Sequence, residues 1–240
     1  MKKSSIMAKS VMIAISMIEI AHADNNTWTG FYAGVDAGFV FNDAQLTSQQ
    51  LGFTRPSETC NMSSDFSTFS PGIQLGYMYQ LPNAFVSGIE ANATFNTNQK
   101  HIFSCNSEFN SNVYDRFTYK NQMQTSIKGR VGRALDWNKS TFLPYLIVGA
   151  SFANVGLTYK NEGGDYYSTN TTTHAGWLIG AGIEWAFMQH WSLRAEYYYV
   201  DYGNAINLEI PTIYGLDDPN GNANVDLSSN NVVVAINYWI

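Results

Sequence analysis

Between Gly30 and Asn42 every second residue is apolar. Phe31, Ala33, Val35, Ala37, Phe39 and Phe41 share one parity, and Gly34, Asp36, Gly38 and Asn42 share the other. A period of two places alternate side chains on opposite faces of a β-strand. Further segments carry the same alternation. About 68–80 sets Ile73, Leu75, Tyr77 and Tyr79 against Gly72, Gln74, Gly76 and Gln80; about 84–96 sets Phe85, Ile89, Ala91, Ala93 and Phe95 against Glu90, Asn92 and Thr94. About 117–135 sets Met123, Ile127 and Val131 against Gln122, Gln124, Ser126, Lys128 and Arg130. About 173–187 sets Trp177, Ile179, Ala181, Ile183 and Trp185 against Gly180, Gly182 and Glu184. In 191–202, Trp191, Leu193, Ala195, Tyr197 and Tyr199 oppose Arg194, Glu196 and Tyr198; in 231–240 the stripe is Val232, Val234, Ile236, Tyr238 and Ile240. The segment 141–159 is apolar on both parities in its first half, so its facing stays unassigned.

Eight strands are thus predicted, and their connections alternate in length. Those at 81–83, 136–140 and 188–190 are short, whereas 43–67, 97–116, 160–172 and 203–230 are long and polar. Such alternation matches an outer-membrane barrel, with short turns inside and long loops outside. Alternation alone does not tell inside from outside, and a soluble sandwich also has period-two strands. The charged positions decide between them. They gather on one parity, which in a sandwich would be the core and in a membrane barrel is the lumen. The expected fold is all-β, an eight-stranded antiparallel transmembrane β-barrel.

Composition supports a membrane setting. Only 13% of residues are charged and 15% are aromatic. After residue 23 no stretch approaches the length of apolar chain that a transmembrane helix needs, and only helices and closed barrels span a bilayer. Residues 1–23 read as a secretory signal: Lys2, Lys3 and Lys9 precede the apolar run 11–18, and Ala21-His22-Ala23 forms a small-x-small cleavage site. Cleavage between Ala23 and Asp24 leaves residues 24–240 as the barrel domain. It also removes three basic residues and one acidic residue, which deepens the net charge from −6 to −8. An acidic exported chain lacks the clustered Lys and Arg that nucleic acid requires.

The segment Thr27-Trp28-Thr29-Gly30-Phe31-Tyr32-Ala33-Gly34 resembles the first strand of the opacity-like outer-membrane β-barrel family. Ser126-Ile127-Lys128-Gly129-Arg130-Val131-Gly132 is similar to its fourth strand, and Leu143-Pro144-Tyr145 with Gly149-Ala150 to its fifth. Trp191-Ser192-Leu193-Arg194-Ala195-Glu196-Tyr197-Tyr198-Tyr199, with Asp201-Tyr202-Gly203, is similar to its seventh. That family includes surface porin-like and hemin-binding proteins of alphaproteobacteria. The resemblance covers nearly all strands and none of the loops. It implies an eight-stranded barrel in the outer membrane of a Gram-negative bacterium, and no single biochemical activity. One departure is the end of the chain, Tyr238-Trp239-Ile240, where the family has an outward aromatic that the barrel-insertion machinery reads.

The candidate site is the set of inward charges: Asp36, Glu90, Lys128, Arg130, Glu184, Arg194 and Glu196. Counted from the periplasmic turns, all but Asp36 fall at one height in the lower lumen, with Asp36 somewhat higher. Buried charges need partners. The set reads either as a salt-bridged plug, which the narrow lumen of eight strands favours, or as an ion path or gate. His190-Trp191-Ser192 has a His-x-Ser spacing but no placed carboxylate to orient the His, so no enzymatic reading is adopted. No cofactor or metal spacing is found. Cys60 and Cys105 fall in the first two long connections, on one rim and in an oxidising compartment; they are expected to form a disulfide, with two free thiols as the alternative. Trp28, Tyr79, Phe85, Trp137, Phe142, Trp185, Phe187 and Trp191 are expected in the periplasmic aromatic girdle.

The leading expectation for function is a structural or surface-interaction role through the outer loops. The alternative is a narrow porin-like channel, or uptake of a small ligand such as heme. Expected partners are outer-membrane lipid and lipopolysaccharide, the barrel-insertion machinery, and host or environmental ligands at the loops.

Overall fold

A computed structural model describes residues 28–50, 58–97, 101–106, 114–137, 140–161, 167–210 and 221–240. The signal segment and its cleavage site at Ala23-Asp24 lie outside the described residues. The long staves are β1 (Gly30–Gln50), β2 (Glu58–Gln80), β3 (Phe85–Phe95), β5 (Tyr114–Arg133), β7 (Ser140–Asn161), β8 (Tyr167–Met188), β9 (Trp191–Ile210) and β10 (Gly221–Trp239). Two short segments complete the set. β4 (His101–Asn106) continues the line of β3 along β5, and β6 (Leu135–Trp137) forms a tight hairpin with the start of β7.

Every stave pairs antiparallel with its chain neighbours, and β1 closes on β10 through Tyr32↔Trp239 and the pairs above it. Closure leaves no free sheet edge among the eight staves, which the hydrocarbon interior demands. A walk across hydrogen-bonded neighbours starts at Asp43 and passes Ser228, Asp201, Trp177, Ala150, Ile127, Ala91 and Leu75. It returns to β1 at Ala33, ten residues lower. Eight strands with that stagger tilt steeply and leave an interior only wide enough for side chains.

The predicted outward stripe is observed. Val35, Ile73, Leu75, Ile89, Ile127, Val131, Ile179, Ile183 and Val234 are all exposed, as the lipid face of a membrane barrel must be. The open question of β7 is settled by burial: Leu143, Tyr145 and Ile147 point into the lumen, while Leu146 and Val148 face out. The girdle expectation holds for Tyr79, Phe85, Trp137, Trp185 and Trp191, which are exposed. It fails for Trp28. That indole is fully buried and packs edge-on against Trp239, with ring centroids 5.6 Å apart. It lies just before β1, where the chain turns into the barrel mouth and the ring drops into the lumen.

The strands outrun the sequence expectation at their outer ends. β1 continues to Gln50, β2 begins at Glu58, β9 continues to Ile210 and β10 begins at Gly221. Beyond the lipid belt the alternation inverts instead of ending. On β1, Val40 and Ala44 turn inward while Gln45 and Thr47 face out; on β10, Val225 and Leu227 turn inward while Asp226 faces out. The upper barrel is therefore built like a soluble one, with an apolar interior and a polar skin.

The backbones of Cys60 and Cys105 lie on the outer reaches of β2 and β4, opposite Ser48 and Asp115 respectively. Their side chains lie outside the described residues, so the disulfide stands as a proposal. Intact-mass measurement of the unreduced membrane protein should give a chain starting at Asp24 and lighter by two hydrogen atoms than the dithiol. Full alkylation of both cysteines without reduction would refute the bond.

Candidate functional site

The lumen is layered. At the periplasmic end Trp28, Tyr32, Met78, Val86, Leu143 and Trp239 form an apolar floor. Above it stand Glu90 on β3, Lys128 and Arg130 on β5, Glu184 on β8, and Arg194 and Glu196 on β9. Their side chains are at most 1% exposed. Each lies on the inward parity of its strand, a few residues above a short turn, so strand tilt and stagger bring all six to one height.

Arg130 is the hub. Its guanidinium lies 2.8 Å from Glu90 Oε2, 2.6 Å from Glu196 Oε1 and 3.4 Å from Glu184 Oε2. Arg194 donates to Glu90 Oε2 at 2.6 Å and to the Gln74 side-chain oxygen, and its Nε lies 3.3 Å from Glu196 Oε1. Lys128 Nζ reaches Glu196 Oε2 at 3.1 Å and Glu90 Oε1 at 3.6 Å. Three carboxylates and three cations thus balance in a space closed to water. Neutral donors complete the shell. Tyr32 donates to Glu90 and Tyr145 to Glu196, both at 2.7 Å. Ser192 and Asn237 donate to Glu184 Oε1, and Gln74 Nε2 donates to Asn237 Oδ1 at 2.6 Å. Cationic groups also lie over rings: Lys128 Nζ is 4.3 Å from the Tyr198 centroid, and the Arg130 guanidinium is 4.8 Å from that of Tyr145.

Glycines make room for these long side chains. Glu90 pairs across the sheet with Gly76, Arg130 with Gly88, Lys128 with Gly149 and Glu196 with Gly182. At Gly182 a Cβ would lie 2.6 Å from the Tyr145 hydroxyl and 2.9 Å from Glu196 Cγ; at Gly76 it would collide with the Tyr32 hydroxyl. Both tyrosines are held against the carboxylates by the absence of a side chain on the next strand.

The structure brings together six of the seven charges named from the sequence. Asp36 is inward and buried but stands a layer higher, where its Oδ2 accepts from Asn92 at 2.7 Å. Tyr32, Tyr145, Gln74, Ser192 and Asn237 join the layer without having been singled out by sequence reasoning. The available signs were the inward parity that Tyr32 shares with Asp36, and the glycines opposite the charged positions. Ser192 and His190 are committed elsewhere. Ser192 Oγ bonds Glu184 and accepts from Trp239 Nε1 at 2.9 Å, while the exposed His190 ring stacks on Tyr238 at 5.8 Å. Among the described residues, no group of three or more His, Cys, Asp or Glu side chains could hold a metal ion.

Comparison with known proteins bears on this arrangement. The family model described as "Outer membrane protein beta-barrel domain" matches residues 10–238. The chain belongs to that family. Members of the outer membrane protein β-barrel family similar to this chain include the 31 kDa outer-membrane immunogenic protein of Brucella melitensis. It is 28% identical over 206 residues, covering 83% of this chain and 82% of the relative. The 25 kDa outer-membrane immunogenic protein of Brucella ovis is 25% identical over 187 residues, covering 78% and 76%. Among solved structures, the outer membrane protein OprG from Pseudomonas aeruginosa is 12% identical, with 88% of this chain and 96% of that chain covered and a TM-score of 0.49. This family member is an outer-membrane β-barrel surface protein.

Proposed function

We propose that the barrel is a sealed, non-catalytic anchor whose outer rim and long connections contact ligands of the host or environment. The observation that supports this reading is the buried, charge-balanced layer across the lumen. Every carboxylate in it meets at least one cation and at least one neutral donor. An ion entering such a layer would have to break several buried ion pairs at once, and separating buried charges costs several kcal/mol each. An aromatic floor closes the periplasmic side and an apolar interior fills the outer side. With the lumen occupied, recognition falls to the surface that the strands present outside the membrane.

Planar-bilayer recording of the purified, correctly folded protein tests this. No steady single-channel conductance is expected above the bare bilayer. Reproducible unitary steps in wild-type protein, abolished when the same preparation is unfolded, would overturn the sealed-lumen reading in favour of a channel.

A further inference from the structure

Above the ion layer the charge of the lumen no longer balances. Among the described residues the buried inward charges are four carboxylates, Asp36, Glu90, Glu184 and Glu196, and three cations, Lys128, Arg130 and Arg194. The ion layer uses three of each, so Asp36 carries the surplus. No cation lies within ion-pair distance of it among the described residues. Lys128, the nearest basic residue below, is committed to Glu196 at 3.1 Å and to Glu90 at 3.6 Å. Asp36 Oδ2 accepts from Asn92 at 2.7 Å, and Asn92 Oδ1 in turn accepts from Thr94. A neutral donor shares a buried charge without cancelling it, and a buried charge that lacks a counter-charge is strongly destabilising.

The surroundings of Asp36 also differ from the layer beneath. Hydrogen-bonded rows climb from β1 through β2 and β3 to β5 and fall from β1 to β10. That stagger sets Asn92 and Ser126 near the height of Asp36, with Thr94 and Asn231 one inward position above. Glu184 and Ser192 in the ion layer are fully covered, whereas Asp36, Asn92 and Thr94 keep 7% of their surface and Ser126 keeps 5%. Glycines provide this room. Gly38, Gly72, Gly149 and Gly180 hold inward positions at this level, and a Cβ on Gly72 would lie 2.5 Å from Asp36 Oδ1. Two buried oxygens face the space from opposite walls. Ser126 Oγ on β5 and Asn231 Oδ1 on β10 have no hydrogen-bond partner among the described residues, and with eight staves these strands stand across the barrel from each other. Asn231 spends its amide nitrogen on the Tyr198 carbonyl and on Ser229 Oγ, which leaves the oxygen as its free end.

We propose that this chamber binds one monovalent alkali cation, held by the Asp36 carboxylate, with Ser126 Oγ and Asn231 Oδ1 reached directly or through the water the ion carries. One carboxylate among neutral oxygens supplies a single charge, which suits sodium or potassium; calcium is held by several charged oxygens, and zinc by nitrogen and sulfur. A proton on Asp36 would cancel the same charge but would leave both buried oxygens without partners, which folded proteins rarely tolerate. Of the charges that act on the site, Lys128 opposes a cation there, and Glu90 and Glu196 favour it. The inference goes beyond the sealed-lumen reading and does not rest on it, because it follows from the charge count of the lumen and not from an absence of conduction.

Protein refolded and crystallised in rubidium chloride tests the site, with the rubidium ion as the probe. Anomalous diffraction should place one rubidium beside Asp36. Asp36→Asn, which keeps the shape and removes the charge, should lose it. Thermal unfolding gives a second measure that stands even if this variant fails to fold. Wild type refolded in tetramethylammonium chloride, whose methyl groups shield its charge from oxygen ligands, should melt at a lower temperature than wild type in potassium chloride of equal ionic strength. Folded Asp36→Asn should melt alike in the two salts. Absence of rubidium beside Asp36 in wild type would overturn the site, as would equal melting of wild type in both salts. So would a rubidium peak retained by Asp36→Asn. An infrared carboxylic-acid band at neutral pH that Asp36→Asn abolishes would assign the balancing charge to a proton and overturn the cation.

Discussion

Replacing Arg130 by Met should lower the unfolding free energy of the barrel by about 3–5 kcal/mol, the usual cost of removing one partner from a buried ion pair. The reason lies in what is left behind. Glu90 and Glu196 keep Lys128 and Arg194, but Glu184 keeps only the neutral donors Ser192 and Asn237. A carboxylate buried without a cation is the worst remaining element. The double variant Arg130→Met with Glu184→Gln should therefore recover part of the loss. The net charge of the layer returns to zero, and the amide oxygen that replaces the carboxylate can still accept from Ser192 and Asn237. Urea titration in lipid vesicles, followed by tryptophan fluorescence, measures both. If the double variant is as unstable as the sum of its parts, the layer is not a coupled network. A conductance that appears in Arg130→Met with its stability unchanged would show a gate in place of a plug.

Gly182→Val should destabilise by about 1–3 kcal/mol, the range for forcing atoms into a filled core. The new side chain would collide with the Tyr145 hydroxyl end and with Glu196, and the ring is held in place by its hydrogen bond to Glu196 and by the Arg130 guanidinium 4.8 Å from its centroid. Combining Gly182→Val with Tyr145→Leu should cost less than the two changes summed, since the shortened residue vacates the contested space. The same vesicle titration reads this out. Strict additivity would mean that Gly182 is needed for backbone reasons and not for the space it leaves Tyr145.

The membrane half of this barrel was legible in its sequence because two requirements coincide there. Lipid requires apolar residues on every second position, and a lumen too narrow for water requires small or paired polar residues on the others. Glu90, Lys128, Arg130, Glu184, Arg194 and Glu196 stand out as charges that recur on the parity opposite Phe31, Ile89, Ile127 and Leu193. Three features escaped. The first half of β7 was ambiguous because Leu143, Tyr145 and Ile147 serve the floor and the tyrosine shell, so both parities are apolar there. Trp28 was misplaced because an aromatic at a strand end fits either the interfacial girdle or the barrel mouth. Strand ends were set too early because the search followed an apolar outer face. Above the belt the partner of the outer face changes from lipid to water, so Val40, Ala44, Val225 and Leu227 carry the pattern on the other parity.

That inversion has a consequence for what meets the surroundings. β1 runs nine residues beyond Phe41, its last apolar outward position. At about 3.3 Å per residue and a tilt near 40°, this lifts the strand tips roughly 20 Å above the hydrocarbon. The lower part of that lift has an apolar filling of its own, which includes Ala44, Ala153, Val155, Val225 and Leu227, so its stiffness there does not depend on the connections that cap the strands. Those connections can change in length and composition without loosening the cylinder beneath, and the strand ends from which they spring stand clear of the crowded headgroup layer.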